Sequence, residues 1–262
     1  MSFITTTRAV TCALTAASLC AAIAAPAHAA VLLGGTRVIL NEKDREASIS
    51  MKNEGKAPYV VQAWLDAGEG KNKTPFLITP PLSRLDPGME NLLRIMRVSS
   101  NDLPADRESV FWLNVKEIPE KAEGENVLQI AVRTRIKLYY RPAALRGGDA
   151  SLARNSLKWA VAAGANGQGA VLKVVNPTPY HVTFTGFRIN KNQQEIRTEM
   201  LPPMAEQSYP LKAIKTPQAI TVTYTTINDY GGETPVEMVN VPAASEPVPL
   251  KPEPVPDSAG KP

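Results

Sequence analysis

Val127-Leu128-Gln129-Ile130-Ala131-Val132-Arg133-Thr134-Arg135-Ile136-Lys137-Leu138-Tyr139-Tyr140-Arg141 alternates almost without a fault. The even positions are Leu128, Ile130, Val132, Thr134, Ile136, Leu138 and Tyr140; the odd ones are Gln129, Ala131, Arg133, Arg135, Lys137, Tyr139 and Arg141. A period of two is the signature of a β-strand, here with one apolar face and one polar, cationic face. The run is more than twice the usual strand length of about 5–6 residues, so a single domain does not cover all of it. Its C-terminal half can fill a sandwich core. Its N-terminal half, with Leu128, Ile130 and Val132, then offers apolar side chains at a sheet edge. Unpaired N–H and C=O groups at an edge recruit other strands, and proteins usually blunt them; an apolar edge left in place points to use. Periodicity alone is also met by an ordinary central strand buried along its whole length.

Outward from this run the chain reads as strands throughout. Upstream are apolar or β-branched stretches at residues 32–40, 46–53, 59–66, 76–79, 91–98 and 109–117. Downstream are 157–161, 170–176, 181–190, 195–200, 208–213, 219–227 and 233–241. Pro, Gly, Asn and Asp clusters separate them. Two sets of seven strands predict an all-β fold of two immunoglobulin-like sandwiches. No long segment has the 3.6-residue period of a helix. Pro142 and the pair Gly147-Gly148 mark the boundary. The expected organisation is a signal peptide at 1–29, a first domain at 30–142, a linker at 143–148, a second domain at 149–244 and a Pro-rich tail at 245–262. The tail alternates proline with other residues from Pro247 to Pro256; such a segment is expected to be extended, disordered and dispensable.

The first 29 residues have the form of an export signal. Arg8 precedes an Ala-rich apolar run, and Ala27-His28-Ala29 supplies the small-x-small cleavage pattern. Cleavage is expected between Ala29 and Ala30. The run is too Ala-rich and Thr-interrupted for a membrane span. Both cysteines, Cys12 and Cys20, lie in the signal, so no disulfide, thiolate nucleophile or Cys-metal site is expected afterwards. Loss of Arg8 lowers the formal charge from +4 to +3. That excess is small and scattered, which argues against a nucleic-acid partner.

No catalytic constellation is evident. His181 is the only histidine after the signal, and no G-x-S-x-G elbow accompanies it. It reads as a structural or surface residue. Clustered His and Cys for a metal are absent. Gly164-Ala165-Asn166-Gly167-Gln168-Gly169 lacks the Lys-Ser/Thr and helix of a phosphate loop and reads as a turn. The chain is therefore expected not to be an enzyme and to need no cofactor. A secreted adhesin or pilus component and a sandwich hydrolase are the rival readings.

Several stretches resemble the PapD-like periplasmic pilus-assembly chaperones. They are Gly35-Thr36-Arg37-Val38-Ile39, Asn53-Glu54-Gly55, Tyr59-Val60-Val61-Gln62-Ala63-Trp64, Pro75-Phe76-Leu77-Ile78-Thr79-Pro80-Pro81, Arg84-Leu85-Asp86-Pro87-Gly88, Arg107-Glu108-Ser109-Val110-Phe111-Trp112-Leu113-Asn114-Val115-Lys116-Glu117-Ile118-Pro119, Arg135-Ile136-Lys137-Leu138-Tyr139-Tyr140-Arg141-Pro142, Asn176-Pro177-Thr178-Pro179-Tyr180 and Ile227-Asn228-Asp229-Tyr230-Gly231-Gly232. The resemblance implies a boomerang of two sandwiches in the periplasm that binds pilus (fimbrial) subunits by donor-strand complementation and delivers them to an outer-membrane usher without ATP. It implies that Leu128, Ile130 and Val132 fill the subunit's groove and that Arg37 and Lys137 hold its C-terminal carboxylate. It also implies an interdomain ion network of Glu108, Arg141 and Asp229. The connection at residues 119–126 is short, similar to the subclass that builds thicker rod-like fimbriae, and the tail is longer than the family leads one to expect.

Overall fold

The alternating run becomes a strand only from Arg133. In the computed structural model, which describes residues 30–71, 73–98, 103–120, 127 and 129–255, the first sandwich holds nine strands. They are β1 (Val31–Leu33), β2 (Arg37–Asn41), β3 (Ala47–Asn53), β4 (Tyr59–Asp66), β5 (Phe76–Thr79), β6 (Leu82–Leu85), β7 (Glu90–Arg97), β8 (Ser109–Pro119) and β9 (Arg133–Arg141). One sheet runs β1-β3-β7-β5 and the other β2-β9-β8-β4-β6. Between them lie Met51, Leu93, Ile95, Leu113 and Leu138, each fully buried. The signal at 1–29, residues 121–126 of the short connection, Leu128 and the last seven residues lie outside the described residues.

The expected strand at 32–40 is two strands in different sheets. Gly34 is the crossing point: its N–H donates to the Ser50 carbonyl at 2.9 Å, and a Cβ there would stand 2.5 Å from Ser50 Oγ. β1 thus pairs with β3, while β2 crosses over and runs parallel to β9, Arg37 beside Lys137 through Asn41 beside Arg141. The crossing has a consequence for β9. Its first half, Arg133 to Ile136, has β8 on one side and no β2 residue on the other.

The second sandwich comprises β10 (Lys158–Ala163), β11 (Ala170–Asn176), β12 (Phe184–Ile189), β13 (Gln194–Ile196), β14 (Ala205–Leu211), β15 (Ile220–Thr226), β16 (Glu237–Val241), β17 (Val248–Pro249) and β18 (Glu253–Pro254). Its sheets run β14-β11-β10-β17 and β13-β12-β15-β16-β18. Trp159, Phe184, Phe187 and Tyr224 form an aromatic centre, with Phe184 and Phe187 rings 4.8 Å apart and edge-on.

Two short strands overturn the expectation of a disordered tail from residue 245. Val248 and Pro249 pair with Trp159 and Lys158, and Glu253 and Pro254 pair with Met238 and Glu237. The Val255 N–H reaches the Val236 carbonyl at 3.1 Å, and Leu250 packs on the core. Proline is tolerated because both strands sit at sheet edges, where a missing N–H costs no ladder bond. The segment lies along the outer edge of each sheet in turn. Deleting residues 245–262 is therefore expected to lower the melting temperature of the second sandwich. Half-burying Leu250 contributes about 1 kcal/mol, equivalent to about 4–8 °C in a domain of this size. Calorimetry of the exported protein with and without the segment checks this, and superimposable second transitions would return it to a solvated tail.

Candidate functional site

Two features lie along β9 and the run that precedes it: an unpaired strand edge and, where the first sandwich faces the second, a pair of cations. The edge belongs to the run that precedes β9. Before Arg133 the ladder with β8 stops, leaving one bond from the Glu117 N–H to the Val132 carbonyl at 2.9 Å. The expected strand at 127–141 is thus shorter, because Val127 and residues 129–132 have no continuous neighbour on either side among the described residues. Ile130 is 69% exposed and Val127 52%, while Val132 is half-buried. Ile130 and Val132 continue the parity of Ile136 and Leu138, which are buried in the core. The apolar face therefore leaves its own core and continues outward.

The cations come from the parallel pairing of β2 with β9, which sets Arg37 directly beside Lys137. Lys137 Nζ donates to Thr183 Oγ1 at 3.2 Å and lies over the Trp112 ring. Arg37 Nη1 donates to the Ile227 carbonyl at 3.2 Å, and its Nε is buried with no hydrogen-bond partner. Among the described residues neither cation has a carboxylate within ion-pair distance, although most other basic side chains nearby do. Burial, and then the charge of Arg37, bring the Lys137 pKa down to about 8. Two adjacent, half-desolvated cations thus stand without a counter-ion among the described residues, an arrangement with the charge and the free donor to hold an anion.

Beside it the two sandwiches are tied by charge. Arg141 donates to both Asp229 oxygens at 2.7 Å and to Glu108 Oε1 at 2.8 Å. Burial opposes the Arg141 charge, but the hydrogen bonds and charges of Asp229 and Glu108 outweigh it and raise its pKa. Asp229 is presented by a tight turn in which the Asn228 and Gly232 backbones bond. Gly231 there has φ +85°, and a Cβ would stand 2.3 Å from Thr36 Oγ1 of the first sandwich; only glycine meets both demands.

Models of two families match the chain: "Pili and flagellar-assembly chaperone, PapD N-terminal domain" over residues 30–146, and "Pili assembly chaperone PapD, C-terminal domain" over 152–238. The chain belongs to the PapD-like pilus-assembly chaperones. The probable fimbrial chaperone LpfB of Escherichia coli O157:H7 is 43% identical to this chaperone over 80% of the chain and 88% of the relative. The chaperone protein FimB/FhaD of Bordetella pertussis is 40% identical over 84% and 92%. The crystal structure of the YadV chaperone superposes with a TM-score of 0.68 at 34% identity, covering 81% of this chain and all of that one. A Salmonella enterica structure of the SafA pilin with the SafB chaperone gives 0.68 at 29% identity, covering 83% and 99%.

The interdomain seam of this chaperone also holds residues that the sequence reading did not single out. His181, taken there for a structural or surface residue, is buried against Glu108: its N–H and Nδ1 lie 2.9 and 2.7 Å from Oε2. Tyr139, on the polar face of β9, is 3% exposed, with its hydroxyl near Thr183 Oγ1 and the Met200 sulfur. Trp112 lies under Arg135 at 4.1 Å. Periodicity places these side chains on a face and says nothing of the second domain that covers it. Among the described residues no group of His, Cys, Asp and Glu could hold a metal ion, and no helix is long and apolar enough to cross a membrane.

Proposed function

We propose that this chaperone works in the periplasm, binds pilus subunits by lending them the run that precedes β9, and passes them to an outer-membrane usher without ATP or enzymatic chemistry. The observation that carries the reading is the continuity of the two features. The apolar face of Ile130 and Val132 leads along the same strand to Lys137, beside which β2 sets Arg37. In β-augmentation the added strand gains main-chain hydrogen bonds, and alternate side chains fill the partner's pockets. Leu128, Ile130 and Val132 supply those side chains. A subunit's terminal carboxylate bound at Arg37 and Lys137 sets the register, because a one-residue slip turns every apolar side chain away. Glu108, Arg141 and Asp229 fix the angle between the sandwiches, so that the cleft is formed before the subunit arrives.

The related structures of a pilin held by its chaperone support this reading. So does the completeness of both sandwiches, since a pilus subunit awaiting strand exchange would lack its final strand. The test is co-expression with a pilus subunit, export, and purification through a tag on the chaperone. A one-to-one complex, identified by mass spectrometry, is expected. Recovery of the chaperone alone, with the subunit stable and unbound, would sink the proposal.

A further inference from the structure

Glu117 is a buried carboxylate that strand donation does not use. It points to the core side of β8 with Leu113 and Val115, is 3% exposed, and has no hydrogen-bond partner on Oε1. Oε2 accepts one bond from the backbone nitrogen of Ala30 at 3.2 Å. A carboxylate left so nearly alone in a core is costly. Burial raises its pKa, and the backbone N–H groups of Val31 and then Ala30 only partly offset this.

Ala30 is also the residue at which the mature chain is expected to begin. The backbone holds it firmly: its carbonyl accepts from the Glu54 N–H at 2.8 Å, Val31 pairs with Asn53, and Gly55 leaves room for its side chain, since a Cβ there would stand 2.9 Å from Ala30 Cβ. We infer that Glu117 is the receptor for the processed N-terminus: removal of the signal turns the Ala30 nitrogen into an ammonium that pairs with this carboxylate and completes the first sandwich. In the cleavage, the Ala29–Ala30 peptide bond is hydrolysed by a signal peptidase. Water oxygen joins the Ala29 carbonyl carbon, which leaves as a carboxylate, and the Ala30 nitrogen takes up both water protons to become –NH3+. An amide donor is thereby replaced by a full positive charge at the same atom, and a charge-assisted bond is about twice as strong. The unprocessed chain, with an amide there, keeps an uncompensated charge in its core. Export and final stability are in this way coupled.

Among the described residues, other charges do not supply the counter-ion. Lys52 on β3 is exposed and paired with Glu54. From β4, Tyr59 lies beside Gly55. Lys116 alternates with Glu117 on β8 and, with the facing Arg133 of β9, belongs to the opposite face of the sheet. The pH dependence follows. An α-amine pairing with a carboxylate has a folded pKa above its unfolded value of about 7.7–8.0. Its stabilisation is fully present below that unfolded value and is lost as pH rises through the folded pKa.

The experiment compares four exported proteins: wild type, Glu117→Gln, an insertion of Gly-Ser between Ala29 and Ala30, and the insertion combined with Glu117→Gln. Intact mass of the wild type is expected to begin at Ala30. The insertion moves the ammonium two residues away and should lower the first melting transition by roughly 5 °C, the scale of a one-kilocalorie loss in a domain of about 100 residues. In the Glu117→Gln background the same insertion should cost about nothing. Only the wild type should lose stability between about pH 8 and 10 relative to Glu117→Gln. If the insertion variant does not fold, the wild-type α-amine is followed directly by its rate of acylation, which should be slow at pH 7 beside that of a free N-terminus. A start other than Ala30, an insertion cost that is equal in both backgrounds, or fast acylation would each overturn the inference.

Discussion

Ile130→Asp is expected to abolish capture of a pilus subunit while leaving the chaperone folded. Ile130 is 69% exposed in the free protein, so the chaperone's own core does not depend on it. Substitutions at such positions usually change stability by less than about 0.5 kcal/mol. In the complex the same side chain enters an apolar groove, where burial contributes roughly 1.5–3 kcal/mol. Aspartate removes that gain and adds the cost of a carboxylate without a partner. Together these exceed about 3 kcal/mol, more than a 100-fold loss of affinity. Two measurements decide it: thermal unfolding of the free variant, and recovery of a co-expressed subunit from the periplasm. Unimpaired recovery removes Ile130 from the donated face. Early melting places it in the chaperone's own core instead.

The alternation of residues 127–141 carried this prediction from the sequence, and within β9 its even positions Ile136, Leu138 and Tyr140 are buried. It did not show where pairing would stop. That is decided by Gly34, far away in the chain, where the first strand crosses between sheets and leaves the start of β9 with one neighbour. Periodicity reports which side of a strand a residue occupies, whereas an edge is a property of two strands. The same limit explains the tail. Pro247 to Pro256 reads in isolation as a segment unable to bury anything, yet β10 and β16 each offer it an edge, and edges accept proline. The family resemblance brought Arg37, Lys137, Glu108, Arg141 and Asp229 into view, and the structure sets the first two side by side and the last three in contact. His181 and Tyr139 escaped because their partners, Glu108 and Thr183, lie on the other domain.

The proposed anion site makes the sharpest quantitative demand, because its lysine is expected to titrate within reach of ordinary buffers. Burial and the neighbouring Arg37 bring Lys137 to about 8 in the empty site. A bound carboxylate favours the charged form and raises that pKa. The contribution of Lys137 to binding is therefore fully present below about pH 8 and is lost as pH rises through the higher value of the complex. Binding above pH 8 takes up a proton. Arg37→Ala and Lys137→Ala should each weaken capture of a peptide copying a subunit's C-terminal strand by about 10- to 100-fold, the equivalent of one charge-assisted hydrogen bond at about 1.5–3 kcal/mol. Their pH profiles should differ in kind. Lys137→Ala should bind with no break near pH 8. Arg37→Ala should keep a break but at higher pH, because the cation that opposes the Lys137 charge is gone. Lys137→Arg should recover only part of the affinity, since the longer planar head does not fit a point-charge site facing the Thr183 hydroxyl. Calorimetric titration from pH 7 to 10 with the peptide as free acid and as C-terminal amide reads all of these. Equal affinity for acid and amide, or a wild-type profile that is flat across pH 8, would remove the carboxylate from this site.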